Sequence, residues 1–406
     1  MKAAEPRPIR EYALGIYDGP HATPEESAEG AVFLGINNIS DDGRLDFTEI
    51  RHVSEAELPR WTRRVTPGPG DVVFTYEATL HRYAIIPEGF RGCLGRRVAL
   101  IRPDPKKANS QFLLYYFLSH QWRSVVEGNV ISGATVDRIP LQRFPDFPVL
   151  LPRLPIQNRI ADTLAAYDDL IENNRRRMAL LEKAARLLYE EWFVRLRFPG
   201  HERVRMVGGV PEGWERKPLS ELCERIDYGY TAIAEQEEIG PKFLRITDIV
   251  PDVIDWSTVP HCPIEDGRLE RFRLAEGDIV VARTGATVGY AKRLHKRHPD
   301  AVFASYLVRL RLKPEVDNIM VGVFVESDSY KDYVQSRVGG AAQPNANARV
   351  LAGAEMLVPP PRLQHDFHEF VEPLVDEREV LQLQNQKLRV ARDLLLPRLM
   401  SGEISL

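Results

Sequence analysis

The chain has 406 residues, 44% of them hydrophobic and 28% charged, with a formal net charge of −4 at pH 7. That length suits two or three domains with substantial cores. It contains no apolar run of the roughly 18 residues a membrane helix needs, and residues 1–10 lack the apolar centre of a signal peptide. The three cysteines, Cys93, Cys223 and Cys262, are too far apart for a metal motif. A reducing, cytoplasmic setting without membrane contact is expected.

In chain order, a polar turn comes first, Tyr17-Asp18-Gly19-Pro20-His21-Ala22-Thr23. Short strands follow over residues 31–36, 71–76 and 97–102, then helix over 110–126 and a strand over 147–151. Pro152 stops that strand and can open a long helix. Along it Ile160, Leu164, Tyr167, Ile171, Asn174, Met178, Leu181, Ala185, Leu188 and Trp192 step by alternating fours and threes. This heptad seam needs a partner helix of similar length. Phe198-Pro199-Gly200 should end the helix, and residues 201–213 form a linker.

The series then returns. A turn at Tyr228-Gly229-Tyr230-Thr231 precedes strands over 242–246, 278–282 and 306–312, helix over 319–337 and a strand over 355–358 before Pro359. The second seam is Phe367, Val371, Leu374, Arg378, Leu381, Asn385, Leu388, Arg392, Leu395 and Leu399, each 207 positions after its counterpart. Phe33-Leu34-Gly35-Ile36-Asn37-Asn38-Ile39 matches Phe243-Leu244-Arg245-Ile246-Thr247-Asp248-Ile249 at an offset of 210, as Gly19 matches Gly229. Gly70-Asp71-Val72-Val73 matches Gly277-Asp278-Ile279-Val280 at 207, and Gly133-Ala134 with Gly340-Ala341, Pro152 with Pro359 and Gln157 with Gln364 keep that offset. The chain is a tandem duplication. Its boundaries read as a first globular domain over 1–151, a long helix over 152–198, linker and second globular domain over 199–358, and a second long helix over 359–406. Asn174 and Asn385 fall on the seams, where polar residues set register at a cost in stability.

Charge is uneven. Residues 60–107 carry ten Lys/Arg against four Asp/Glu, residues 283–313 eight against one, and residues 364–406 five against eight. Two basic patches on a neutral scaffold suit phosphate contact, although an Arg-rich chain shows such windows by chance. No phosphate loop, methyltransferase motif, His-Glu-x-x-His or Cys-x-x-Cys is present, which favours a binding protein over an enzyme. His295 and His298, in a basic loop, read as solvated.

The most pointed segment is Ala282-Arg283-Thr284-Gly285-Ala286-Thr287-Val288-Gly289-Tyr290, where a guanidinium can address guanine and hydroxyls or glycine amides can reach phosphate. Its counterpart, Tyr76-Glu77-Ala78-Thr79-Leu80-His81-Arg82-Tyr83, shares the position but not the sequence, as two different specificities would require; chance drift is the competing explanation. The candidate DNA contacts are Tyr17, Asp18, His21, Thr23, Asn37, Asn38, Tyr76, Thr79, His81, Arg82, Arg96 and Arg97 in the first half. In the second they are Tyr228, Tyr230, Thr231, Arg245, Thr247, Arg283, Thr284, Thr287, Tyr290, Lys292, Arg293, Gln343, Asn345 and Asn347. Turn and loop roles remain open for all of them. Trp192 and Phe193 suit a core or a subunit interface. No catalytic or metal-ligating residue is assigned.

Pro211-Glu212-Gly213-Trp214-Glu215, the Phe243-to-Ile249 stretch, Gly277-to-Gly285, Leu188-Tyr189-x-x-Trp192-Phe193 and the terminal Leu399-Met400-Ser401-Gly402-Glu403-Ile404 together resemble the specificity subunit of type I restriction–modification enzymes, across essentially the whole chain. The first half departs from that pattern, lacking the Pro-x-Gly-Trp opening and the Arg-Thr-Gly loop. The resemblance implies an α+β fold: two mixed α/β target-recognition domains in tandem repeat, separated by two long antiparallel helices forming a coiled coil. It further implies a non-catalytic subunit that reads a bipartite site on double-stranded DNA and docks two modification (methyltransferase) subunits and restriction/translocase subunits. S-adenosylmethionine, ATP and Mg are then expected on those partners and none on this chain. A seam of 33 residues at about 1.5 Å each would be a ruler of roughly 50 Å, against about 34 Å per turn of DNA. The alternatives are a stand-alone DNA methyltransferase or nuclease with atypical motifs, and a coiled-coil scaffold that binds no DNA.

Overall fold

A computed structural model describes residues 5–131, 136–251, 253–338 and 344–404. The chain forms two compact units, residues 1–171 with 386–406 and residues 172–385. Both are built alike. In the first, an antiparallel sheet runs in the order Ala13–Asp18, Val98–Pro103, Val72–Thr75, Tyr83–Ile85. In the second, the same order is Cys223–Tyr228, Leu307–Leu312, Ile279–Ala282, Ala291–Arg293. Each unit adds a parallel pair: Ala31–Leu34 with Gly92–Leu94, and Lys242–Leu244 with Ala301–Phe303. Arg51–Val53 extends the first of these pairs on its other side.

The sheets are apolar on both faces because each face is covered. Phe74, Tyr83, Ala99 and Ile101 pack on the helices Ser110–Leu118 and His120–Glu127, with Trp122 fully buried between them. Val73, Ala84, Val98 and Leu100 pack against Leu34 and Leu94 of the parallel pair and Ile39 just beyond it. Burying such side chains contributes about 1.5–3 kcal/mol each. In the second unit Asn318–Val325 and Asp328–Val338 cover one face and the Leu244–Phe303 layer the other.

Most of the residues repeated in sequence act as clamps. Gly70 and Gly277 take left-handed conformations, φ 84° and 79°, which glycine adopts without steric cost. The aspartates that follow accept from Gly68 N and Ala275 N and hold Arg102 and Arg311 in two-pronged ion pairs of 2.6–2.8 Å. Gly19 and Gly229 are required by close approach, since a Cβ would lie 2.4 Å from Gly95 O and 2.2 Å from Ala304 O. Gln157 and Gln364 donate to Pro152 O and Pro359 O at 2.8 Å, tying each long helix to the strand before it.

Those helices are Leu154–Tyr189, continued by a wider π turn over Glu190–Val194, and Pro361–Met400. Every seam position is buried or half-buried. In the first unit Ile160 and Leu164 share a core with Leu399, and Asp168 pairs with Arg392 at 2.5 Å. In the second, Asn174 meets Asn385, Glu182 lies 3.8 Å from Arg378, and the tilted rings of Trp192 and Phe367 lie 5.8 Å apart. Partner numbers fall as residue numbers rise, so the helices pair antiparallel, as expected. Of the two roles open to Trp192 and Phe193, the second unit uses the core one. Both are buried, Phe193 between Trp214 and Phe367.

Three expectations need correction. The turns expected at Tyr17 and Tyr228 begin as strand ends, Ala13–Asp18 and Cys223–Tyr228. His295 is buried rather than solvated, its Nε2 2.8 Å from Asp376 on the second long helix. The basic window over 283–313 is largely neutralised in space, because carboxylates distant in sequence reach it. Lys292 pairs with Glu326, Lys296 with Asp376 and Glu372, and Arg309 with Asp227. The repeated Gly133-Ala134 and Gly340-Ala341 pairs lie outside the described residues.

Candidate nucleic-acid interface

The duplication gives each unit one equivalent edge, at the ends of the central sheet strands. In the second unit Arg283 N donates to Tyr306 O and Ala346 N to Arg283 O, while Thr284 bridges Asn345. In the first, Tyr76 N donates to Arg97 O and Ile139 N to Tyr76 O, while Glu77 bridges Arg138. The left-handed residues correspond as well: Ala78 and His81, at φ 70° and 64°, occupy the places of Gly285 and Gly289, at 80° and 87°. The backbone was kept and the side chains were changed.

On the second edge the structure gathers Tyr228, Arg283, Thr284 and Asn345. Arg283 lies 4.8 Å over the Tyr228 ring and donates to Asn345 Oδ1 at 3.2 Å; among the described residues it has no carboxylate partner. Its Nε is buried without a hydrogen-bond partner among the described residues. The Tyr228 hydroxyl accepts from Ala348 N, and Asn347 caps the following helical turn through Val350 N. A guanidinium held by a ring keeps its full positive charge for an incoming acceptor. Tyr306, 61% exposed, joins this edge and was missed from sequence.

Other second-half candidates lie elsewhere. Lys292 and Arg293 sit on the outer strand and turn inward, toward Glu326 and Asn318. Arg245 is clamped by Asp248 at 2.9–3.0 Å, and Tyr230 packs at a tilt against Phe272. Tyr290 carries Lys331 4.8 Å over its ring, and the Thr287 carbonyl accepts from Tyr290 N. Thr231 and Thr247 are exposed. Gln343 lies outside the described residues.

The first edge is chemically different. Asp18 pairs with Arg64 at 2.5 Å and with His21 at 3.0 Å, and Glu77 lies 3.2 Å from Arg97. Tyr76 is buried, and burial followed by the negative charge of Asp18 and Glu77 raises its pKa. Burial and the nearby Arg123 hold His81 below its ordinary pKa. Arg82 reaches Ile36 O at 3.4 Å. Asn37, Arg96 and Arg97 line an adjoining cleft with Arg51. Asn38 belongs to the scaffold: its amide bonds Asp46 O and Glu49 O, and its carbonyl accepts from Gly35 N. Tyr17 sits on the strand beside Asp18, the Thr79 amide turns back to Glu77 O, and Thr23 is exposed. The repeat offset could have pointed to Glu77 and Arg138, as the counterparts of Thr284 and Asn345.

No helix among the described residues is long and apolar enough to cross a membrane. Residues 34–183 match the type I restriction modification DNA specificity domain. The chain is 23% identical to the MjaIX type I restriction enzyme specificity subunit of Methanocaldococcus jannaschii, covering 87% of this chain and 82% of that one. It is 21% identical to the HindI specificity subunit of Haemophilus influenzae, covering 84% and 85%. The fold is similar to that of the specificity subunit of a type I restriction–modification system from M. genitalium, with a TM-score of 0.56 and 14% identity over 97% of this chain and 95% of that one. With its duplicated domains and paired long helices, the chain is similar in sequence and in fold to the specificity subunits of type I restriction–modification systems.

Proposed function

We propose that each unit reads one half of a bipartite site on double-stranded DNA through its sheet edge. We further propose that the long helices dock two modification subunits, which restriction subunits then join. The observation that carries the two-reader proposal is the pair of equivalent edges, alike in the backbone bonds around Tyr76 and Arg283 and different in side-chain chemistry. A duplicated scaffold altered at one edge suits two different base sequences.

The docking proposal is supported by apolar side chains that face away from the seam. Leu180, Leu187 and Val194 recur every seven residues and are exposed, as are Leu383 and Val390 on the other helix. A coiled-coil pair has no internal use for such a stripe, whereas further helices packing alongside would cover it. On this proposal S-adenosylmethionine, ATP and Mg are held by the partner subunits.

The test is exchange of residues 211–357 for the matching segment of another specificity subunit, followed by genome-wide methylation mapping. One half of the methylated sequence should change. A change in both halves rules out two independent readers.

A further inference from the structure

We propose that the first edge accepts an exocyclic amino group of a DNA base, cytosine N4 or adenine N6, on the carboxylates of Asp18 and Glu77 beside the Tyr76 hydroxyl. This rests on the two-reader proposal and gives one reader its chemistry. Among the described residues, seven buried side-chain polar atoms lack a hydrogen-bond partner, and three of them crowd this edge with no ion pair either: Thr75 Oγ1, Tyr76 Oη and His81 Nδ1; a fourth, Arg97 Nε, has only its ion pair with Glu77 at 3.2 Å. Buried polar groups are rarely left unmatched, so such a concentration marks a place where partners arrive from outside. Backbone strain coincides with it. Three of the four described non-glycine residues with left-handed conformations are Ala78, His81 and Arg97. The second unit relieves two of these positions with Gly285 and Gly289. Strain retained where glycine would remove it is characteristic of a functional site.

The polarity of the edge selects the ligand. Arg64 and His21 orient Asp18, and Arg97 lies beside Glu77, yet both carboxylates keep about a quarter of their side-chain surface open. Ionised carboxylates only accept hydrogen bonds, and the Tyr76 phenol, raised in pKa by burial and these same carboxylates, stays protonated and can donate. In the major groove cytosine offers the N4 amino donor, and adenine the N6 donor beside the N7 acceptor. Guanine presents only acceptors there, which two carboxylates repel. The second edge, with Arg283 at the position of Tyr76, has the opposite preference.

The experiment selects sites from a randomised duplex library with the assembled complex of this chain and its modification subunits. Wild type, Asp18→Asn, Glu77→Gln, Tyr76→Phe and Arg283→Ala are compared, with melting temperatures for each. Wild type should enrich a bipartite sequence. Glu77→Gln and Asp18→Asn should lose preference at one base pair of one half-site and bind the cognate site roughly 5- to 150-fold more weakly. Arg283→Ala should leave that position unchanged and affect the other half. Tyr76→Phe should bind more weakly without melting earlier, because its hydroxyl has no protein partner. Unchanged base preference in Glu77→Gln, or Tyr76→Phe that melts earlier and binds normally, overturns the inference while leaving two readers intact. A wild-type complex that enriches no bipartite sequence removes both.

Discussion

Asn174 and Asn385 meet inside the antiparallel seam, Nδ2 of the first donating to Oδ1 of the second at 3.0 Å, with both side chains buried. Their positions differ by 211, against the 207 that separates the two seams as sequences. The pair therefore records how the helices cross rather than how they were copied. A bonded amide pair in an apolar seam is satisfied in one register only.

Replacing Asn174 alone by Leu should destabilise the chain by about 1–3 kcal/mol, because Asn385 loses the bond donated by Asn174 in a buried setting. Asn174→Leu with Asn385→Leu should recover that loss while weakening register control. Denaturant unfolding of the two single variants and the double variant measures the coupling; independent, additive effects would contradict the pairing.

Arg283→Ala distinguishes three roles. A base contact predicts a loss of roughly 1–3 kcal/mol on the cognate site and little on random DNA. A phosphate contact predicts equal loss on both and a salt dependence lower by about one unit. Because the guanidinium already rests on Tyr228 and Asn345, no change on either DNA would leave it a scaffold group. Affinities at two salt concentrations separate the outcomes.

Glu326 should govern acid stability of the second unit. Burial pushes its pKa up, but Lys292, Arg378 and the Arg293 backbone N–H together outweigh that and hold it below the ordinary value. With the folded-state value depressed, the stabilisation is present above the ordinary glutamate value of about 4.3 and is lost as pH falls through the lower folded value. Glu326→Gln should destabilise the second unit by about 1–3 kcal/mol at neutral pH, since it removes the carboxylate facing buried Lys292 and accepting from Arg293 N. Urea unfolding at pH 7 and below pH 4 should show the gap between variant and wild type closing in acid. A gap independent of pH would show that the carboxylate charge is irrelevant.

Docking of the modification subunits should depend on the outward stripe. Leu180→Glu with Leu187→Glu leaves both seams and both cores untouched, so melting should stay near wild type, while co-purification with the modification subunit should fail. Removing the distal helix from Gln364 onward is a less selective test, because Phe367 and Val371 belong to the core of the second unit. Normal assembly by the double glutamate variant would place the docking surface elsewhere.

Much of this molecule is determined by sequence periodicity alone. The seam spacing gives two long helices and the constant offset gives two copies of one domain, because heptads and repeats are local, one-dimensional signals. The turn before each copy could not be read correctly. Ala13–Asp18 and Cys223–Tyr228 become strands through pairing with Val98–Pro103 and Leu307–Leu312, some 80 residues later, and short polar segments take their state from such partners. The basic window over 283–313 was misleading for a similar reason: Glu326, Glu372, Asp376 and Asp227, which neutralise it, lie outside the window. Residue types named Arg283 and Tyr76 as candidates. The repeat offset already placed them at one position in two copies; only tertiary structure showed their surroundings, the Tyr76 hydroxyl buried near Asp18 and Glu77 and the Arg283 guanidinium held over the Tyr228 ring. Whether a polar group is free or engaged depends on neighbours brought together by folding, and sequence spacing does not encode that.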